Sequence, residues 1–93
     1  MIIKRKVKIE NKQGLHARPA AIFVQIANKF SSDIVISKGD QKVNGKSIMG
    51  IMMLAAECGS NVYITASGDD AHEAVEELEK LLLGNIDELN NKV

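Results

Sequence analysis

The residues best suited to chemistry lie close together in residues 14–20, which read Gly-Leu-His-Ala-Arg-Pro-Ala. His16 stands immediately before a predicted helix start, where unpaired backbone N–H groups and the helix dipole favour an anion. The same positive helix end disfavours a charged imidazolium, so the neutral ring is available as a nucleophile. Arg18 supplies a forked donor for phosphate oxygens. The stretch is therefore suited to accepting a phosphoryl group on a ring nitrogen.

Gly14 and Pro19 set the backbone conformation on either side of His16. Gly14 allows the preceding loop to bend tightly, and Pro19 stiffens a first helical turn, where its missing N–H has no partner. A simpler role for His16 is that it only caps the helix, as polar side chains at this position commonly do. The spacing alone supports phosphoryl acceptance and helix capping about equally.

A second stretch, residues 46–52, places Ser47 before a short predicted helix rich in isoleucine and methionine. Ser47 fits the N-cap of this helix, a common stabilising role. The functional alternative is regulatory phosphorylation, since a phosphate at a helix N-terminus need not unfold the domain. It would change the charge of an exposed surface, because four such side chains on one short helix cannot all be buried. These side chains are Ile48, Met49, Met52 and Met53.

The Gly-Lys-Ser sequence at residues 45–47 also resembles part of a nucleotide-binding phosphate loop. That motif requires four residues between its two glycines. Five residues separate Gly39 from Gly45 in this chain, and the helix that follows is short. The spacing therefore argues against a nucleotide site.

Hydropathy periods predict the elements that position these residues. Strands are predicted at residues 3–9, 33–37, 41–44 and 61–67, and helices from residue 16 or 17 to 29, after Ser47, and at 71–82. The order β-α-β-β-α-β-α predicts an α+β fold, in which amphipathic helices cover one face of a sheet. The other sheet face, which carries Lys4, Lys6 and Lys8, is expected to be exposed.

Local signals refine the ends of these elements. Arg5 interrupts the apolar row of the first strand and predicts a frayed end. Asp69 and Asp70 are predicted to cap the last helix, and Gly84 is predicted to end it. Helical spacing continues in the tail and predicts a further turn or two. The tail residues with this spacing are Ile86, Leu89 and Val93.

The composition limits the classes of protein to which the chain can belong. Its 93 residues predict one domain spanning residues 1–93, and 12 basic residues balance 12 acidic ones. Zero net charge and a low aromatic content of 3% argue against a nucleic-acid partner. No apolar run approaches the roughly 20 residues of a membrane span. The early charges are unlike a signal peptide, so no membrane partner is predicted.

The remaining reactive side chains, Cys58 and His72, are predicted to take no part in chemistry. Cys58 is the single cysteine of the sequence and cannot form an internal disulfide, which favours a cytoplasmic protein. No base lies near it in sequence, so it is predicted to be a small buried or half-buried side chain. His72 falls in the first turn of an acidic helix and is predicted to be solvated. Neither a metal site nor a cofactor is predicted.

Residues 14–20 and 46–52 together resemble the HPr family, the histidine-containing phosphocarrier proteins of the bacterial sugar phosphotransferase system. The resemblance covers nearly the whole chain. It implies an open-faced β-sandwich, with a four-stranded antiparallel sheet and three helices on one face. It further implies that His16 accepts a phosphoryl group on Nδ1 from Enzyme I, which is charged by phosphoenolpyruvate. By the same resemblance, His16 would pass the group to sugar-specific IIA domains of permeases, and the chain would be a monomeric carrier in a relay and not an enzyme.

The same resemblance implies roles for the neighbouring residues. Arg18 would neutralise the phosphate, and the backbone amides of Ala17 and Arg18 would bind it. Ser47 matches the serine modified by an ATP-dependent HPr kinase/phosphorylase. Phosphorylation of this serine would slow transfer and produce a corepressor for a catabolite control repressor. The hydrophobic surface on which partners dock would comprise Ile48, Met49 and Met52.

Two departures from the family pattern and one alternative function accompany the resemblance. Met53 stands where such members often have a small polar residue, which makes the docking surface more apolar. The tail from Asn85 extends beyond the usual last helix. Regulatory HPr-like proteins keep the serine and lack the histidine, and the presence of His16 disfavours that class. The alternative function is nevertheless a mainly regulatory interaction module that acts through Ser47 and the Ile/Met surface.

Overall fold

The structure is a computed structural model that describes residues 1–84, so the predictions for the tail from Asn85 lie outside the described residues. The elements are β1 (Ile2–Lys8), α1 (Ala17–Ala27), β2 (Asp33–Lys38), β3 (Gln41–Asn44), α2 (Ile48–Leu54), β4 (Asn61–Ser67) and α3 (Ala71–Leu82). This order confirms the predicted β-α-β-β-α-β-α arrangement.

The four strands form one antiparallel sheet in the order β1-β4-β2-β3. Alternate residues of β4 show why one face is covered, since Val62 and Ile64 are fully buried whereas Tyr63 between them is exposed. Helix α3 packs on β1 and β4, α2 packs on β3 and β2, and α1 contacts both other helices. The buried apolar side chains form one core cluster between the sheet and the helices. This arrangement confirms the predicted open sheet with helices on one face.

Strand β1 alternates basic residues on the exposed face with residues that face the helices. Lys4, Lys6 and Lys8 are exposed, as predicted. Arg5 faces the helices and lies opposite Ile64 of β4. Its Nη1 donates to Oε1 of Glu79 in α3 at 3.0 Å. The prediction that Arg5 marks a frayed end was wrong, because an acidic partner from α3 allows this charged residue to lie within the paired strand.

The prediction that Asp69 and Asp70 cap α3 was correct for the position of Asp70 and wrong for Asp69 and for the capping hydrogen bond. Asp70 occupies the N-cap position, but its side chain makes no capping hydrogen bond. Its carboxylate instead accepts hydrogen bonds from the backbone N–H groups of Ser31 at 2.9 Å and Ser32 at 3.0 Å. The Ser32 hydroxyl also donates to it. Asp70 therefore joins the loop between α1 and β2 to the start of α3, while Asp69 is exposed before the capping position.

The C-terminal end of α3 follows the predicted pattern. Gly84 has φ +105°, in the left-handed region that glycine adopts readily, and it follows the C-cap residue Leu83. His72 on the same helix is exposed, as predicted, with Nε2 3.5 Å from Oε1 of Glu76. Within residues 1–84, no helix combines the length and the apolar character needed to cross a bilayer.

Candidate functional site

His16 is the N-cap residue of α1, and its imidazole does not cap the helix. Its backbone is extended, with φ −91° and ψ −162°, and its side chain accepts no hydrogen bond from the first turn. The side chain is exposed. This geometry argues against the capping role, because a capping side chain would bond an N–H group of the first turn. The ring is instead accessible to a second molecule.

The first turn of α1 keeps backbone donors free beside His16. The first intrahelical hydrogen bond runs from the Ala20 N–H to the His16 carbonyl at 2.8 Å. The N–H groups of Ala17 and Arg18 donate to nothing among residues 1–84, and Pro19 has no N–H to donate. No acidic residue lies in this turn. The helix end therefore offers two N–H groups and the positive end of its dipole to an anion.

The Arg18 side chain lies at the same helix end. It is exposed and forms no ion pair with any acidic residue in the described part of the chain. Its guanidinium keeps all its donors for a ligand, and their fork matches the oxygens of a phosphoryl group. The structure thus places the predicted residues His16, Ala17 and Arg18 at one exposed helix terminus.

The loop before His16 rests on the segment that follows α2. Gly14 has φ +63°, and a Cβ atom there would lie 2.8 Å from the Ala56 carbonyl oxygen. The next residue, Leu15, is buried, and its N–H donates to the same Ala56 oxygen at 2.8 Å. Glycine is therefore required for close approach of two backbones as well as for the tight bend predicted from the sequence.

Asn11 also holds this loop, and the sequence analysis assigned it no role. It is 4% exposed, and its Nδ2 donates to the Gly14 carbonyl at 2.9 Å. The Gly14 N–H donates back to the Asn11 carbonyl at 3.1 Å. An asparagine that starts a turn ending in glycine is a recognised signal for such a side-chain bond to the backbone. That signal is present in residues 11–14.

Ser47 lies at the N-cap of α2, as predicted. Its Oγ accepts a hydrogen bond from the Gly50 N–H at 3.1 Å, and the residue is half-buried. The preceding residue, Lys46, is held by Nζ donation to the Phe30 carbonyl at 2.8 Å. The capping role is therefore real, and the hydroxyl still lies at the edge of an exposed surface.

That surface is an apolar patch on α2. Within this helix Ile51 and Leu54 are buried, and the other large apolar side chains are 43–72% exposed. The exposed side chains are Ile48, Met49, Met52 and Met53, here called the α2 patch. The chain runs from α2 directly to Ala56, which accepts the Leu15 N–H. The C-terminal end of α2 therefore lies next to the loop that carries His16.

Cys58 lies in the turn after α2 and is exposed. The prediction of a buried or half-buried thiol was wrong, because this turn lies outside the helix-covered core. Its Sγ is 3.9 Å from the Glu10 carbonyl. Among the described residues, no group of three or more metal-binding side chains includes it.

The chain is similar in sequence and in fold to several known proteins. The family model described as "PTS HPr component phosphorylation site" matches residues 3–83. HPr-like protein Crh of Bacillus subtilis is 51% identical over 77 residues, which cover 83% of this chain and 91% of that protein. Phosphocarrier protein HPr of Neisseria meningitidis is 45% identical over 83 residues, covering 89% and 93% respectively. The crystal structure of a phosphocarrier protein HPr from Bacillus anthracis superposes with a TM-score of 0.85 at 51% identity, covering 87% of this chain and 96% of that one.

Proposed function

This chain belongs to the HPr family, and from that premise we propose that His16 carries a phosphoryl group from phospho-Enzyme I to IIA domains of sugar permeases. The observation that carries the proposal is the exposed His16 ring beside the Ala17 and Arg18 N–H groups, which donate to no group among residues 1–84. The chain is then a carrier in a relay and not an enzyme, since it returns to its starting state only through its partners.

The proposed transfer is an in-line displacement at phosphorus. The lone pair of His16 Nδ1 forms the new N–P bond, while the bond from phosphorus to the donor's nucleophile breaks and its electron pair returns to the donor. The Ala17 and Arg18 amides and the Arg18 guanidinium stabilise the charge on the phosphoryl oxygens. The reverse displacement on an acceptor IIA domain releases the group from His16.

The α2 patch is proposed as the docking surface for these partners, through Ile48, Met49 and Met52. Two observations support this role. The patch is exposed, and the segment after α2 is bonded to the loop that carries His16. A partner seated on the patch therefore has the imidazole within the same interface. Flexible methionine side chains also adapt to several partners.

A regulatory role of Ser47 is proposed as the second part of the function. An HPr kinase/phosphorylase would transfer phosphate from ATP to Ser47 Oγ, which adds about 1.5–2 negative charges beside the α2 patch. The charge would slow docking and phosphoryl transfer through His16, and the phosphorylated chain would bind a catabolite control repressor. If this role dominates, a His16→Ala variant keeps repressor binding after Ser47 phosphorylation.

The test of the carrier function uses purified protein, Enzyme I and phosphoenolpyruvate. Intact-mass spectrometry is expected to show one added phosphoryl group that is lost in acid. His16→Ala should abolish the addition, and His72→Ala is the matched control because the sequence has two histidines. An intact, folded wild-type chain that accepts no phosphate would overturn the carrier proposal.

The physical form of the carrier is proposed as a cytoplasmic monomer with one domain over residues 1–93. The single core cluster of the described residues supports one domain. Light scattering is expected to give a mass near the chain mass of 10.1 kDa. A stable mass of twice that value at micromolar concentration would overturn the monomer.

A further inference from the structure

Asn11 connects three parts of the molecule that meet behind the His16 loop. Its backbone N–H donates to the carbonyl of Leu82, at the end of α3, at 3.2 Å. Its side-chain Nδ2 donates to the Gly14 carbonyl at 2.9 Å. Gly14 in turn lies against Ala56, after α2. Asn11 therefore joins the end of α3 to this loop through its backbone N–H, and its side chain holds Gly14 within the loop.

The side-chain amide of Asn11 is used on one side only. Nδ2 donates to Gly14, whereas the buried Oδ1 accepts no hydrogen bond from residues 1–84. Burying a polar atom without a partner is unfavourable. Among residues 1–84 the amide therefore contributes a donor only, and that donor bonds the Gly14 carbonyl.

The bond to Gly14 fixes the chain close to His16. Two reciprocal hydrogen bonds join Asn11 to Gly14, and the next N–H, from Leu15, is bonded to Ala56. The Leu15 side chain is 1% exposed. His16 follows directly, and its own side chain makes no hydrogen bond to α1 that would orient it. The placement of the ring therefore depends on the His16 backbone, which is held by these bonds on its N-terminal side and by the Ala20 N–H on its C-terminal side.

We propose that Asn11 is a positioning residue for phosphoryl transfer, acting through the bond from Nδ2 to the Gly14 carbonyl. The inference rests on the proposed carrier function. In-line transfer is sensitive to placement, and a shift of about 1 Å in a reacting group costs about 100-fold in rate. Loss of the donor frees the Gly14 carbonyl and loosens the His16 backbone, while the α2 patch stays in place.

The test compares Asn11→Ala with Asn61→Ala, a matched control on the exposed sheet face. Both variants are assayed as acceptors of the phosphoryl group from Enzyme I. The assay temperature lies below the thermal unfolding transition of each variant. Asn11→Ala is expected to lower the transfer rate at saturation at least about tenfold and to leave KM within about twofold, since a small displacement suffices for that loss. Asn61→Ala should match wild type in both. Asn11→Ala leaves a cavity that could unfold the protein. In that case Asn11→Leu, which fills a similar volume and lacks the donor, replaces it and should show the same loss of transfer rate.

A purely structural Asn11 would lower the unfolding temperature and leave the saturated rate of the folded variant unchanged. That result overturns the positioning role, and so does a change confined to KM, which would place the effect in docking. If wild type accepts phosphate and Asn11→Ala transfers at the same rate, only this inference fails. If wild type itself accepts none, the carrier function fails and the positioning role fails with it.

Discussion

At the scale of single residues, the proposed chemistry depends on what surrounds the His16 ring. The ring is exposed, and the groups that meet a phosphoryl group come from residues adjacent in sequence. Backbone N–H groups at a helix start are oriented before any ligand arrives, so they stabilise developing charge without reorganisation. Arg18 is the one charged side chain in this turn, and it has no competing partner among residues 1–84.

The first prediction concerns Arg18. Arg18→Gln removes the guanidinium and should lower the rate of His16 phosphorylation about 100-fold, the usual cost of losing one donor to a charged transition state. Arg18→Lys keeps the positive charge but loses the forked pair of donors, so its phosphorylation rate should lie between those of wild type and Arg18→Gln. Rates are measured with Enzyme I and phosphoenolpyruvate. Because Arg18 is exposed, the unfolding midpoint of each variant should match that of wild type. A wild-type rate of phosphorylation in Arg18→Gln would contradict the prediction.

At the scale of elements, the loop before α1 is positioned by elements distant from it in sequence. Its backbone is bonded to the end of α3 through Asn11 and to the segment after α2 through Leu15. Because these two hydrogen bonds hold the loop against other elements, its backbone is ordered when the molecule folds, before any ligand binds. The helix terminus is therefore preorganised for an anion.

The second prediction separates close approach from backbone conformation in this loop. Gly14→Ala places a Cβ 2.8 Å from the Ala56 oxygen at φ +63°, whereas Gly39→Ala has φ +58° with no heavy atom within 4 Å. Gly39→Ala should cost about 1 kcal/mol for the left-handed backbone. Gly14→Ala should cost about 1–3 kcal/mol more for the clash. The free energy of unfolding of the two variants is measured in urea. An equal loss of stability in both would show that the contact between the new Cβ and the Ala56 oxygen is relieved at little energetic cost.

The third prediction concerns the link between α3 and the loop after α1. Hydrogen bonds, the largest from the Ser32 hydroxyl, lower the pKa of Asp70 from 3.8 to about 2. A carboxylate with a depressed pKa in the folded state stabilises above its unfolded pKa, and this contribution is lost as the pH falls through the folded pKa. The stability conferred by Asp70 should therefore be complete above about pH 4 and disappear towards pH 2.

Unfolding free energies measured between pH 5 and pH 2 test this prediction. Asp70→Asn should be less stable than wild type at pH 5, and the difference should narrow as the pH falls. Asp69→Asn, one residue away and exposed, is the control and should follow the wild-type curve. A constant difference between Asp70→Asn and wild type across the range would show that the charge of Asp70 does not matter.

At the scale of the whole molecule, the two faces differ in what they offer to a partner. The open sheet face is basic along β1, with Lys4, Lys6 and Lys8 exposed. The helix layer instead carries the apolar α2 patch, on the helix whose C-terminal end lies next to the His16 loop. A few well-packed side chains at the centre of an interface contribute most of the binding free energy, and methionine is enriched at interfaces. We therefore expect relay partners to approach from the helix layer.

The fourth prediction tests this direction of approach. Met49→Gln and Ile2→Gln replace apolar side chains that are 72% and 71% exposed, on the α2 patch and at the start of β1 respectively. Met49→Gln should raise the KM of Enzyme I for this chain about tenfold, as expected for an interface side chain that contributes about 1–2 kcal/mol to binding. Ile2→Gln should leave KM unchanged. Steady-state phosphorylation rates measure both, and an equal effect of the two variants would contradict docking on the α2 patch.

Local sequence patterns specify the order of the elements and the positions of His16 and Ser47 at two helix starts. The period of apolar residues reports which side of a strand or helix is buried, and this signal is contained within a few neighbouring residues. For the same reason, the position of His16 before α1 and the cap formed by Ser47 could be predicted. Both depend on backbone groups no more than four positions away.

Only the tertiary structure decided which distant residues meet. Arg5 pairs with Glu79, Asp70 binds Ser31 and Ser32, and Gly14 lies against Ala56. Each of these contacts joins residues about 40 or more positions apart, and no local pattern specifies such a pair. The partners are set by how the helices pack on the sheet. The predictions of a frayed end at Arg5 and of a capping hydrogen bond from Asp70 were therefore wrong, whereas strand β1 and helix α3 were predicted correctly.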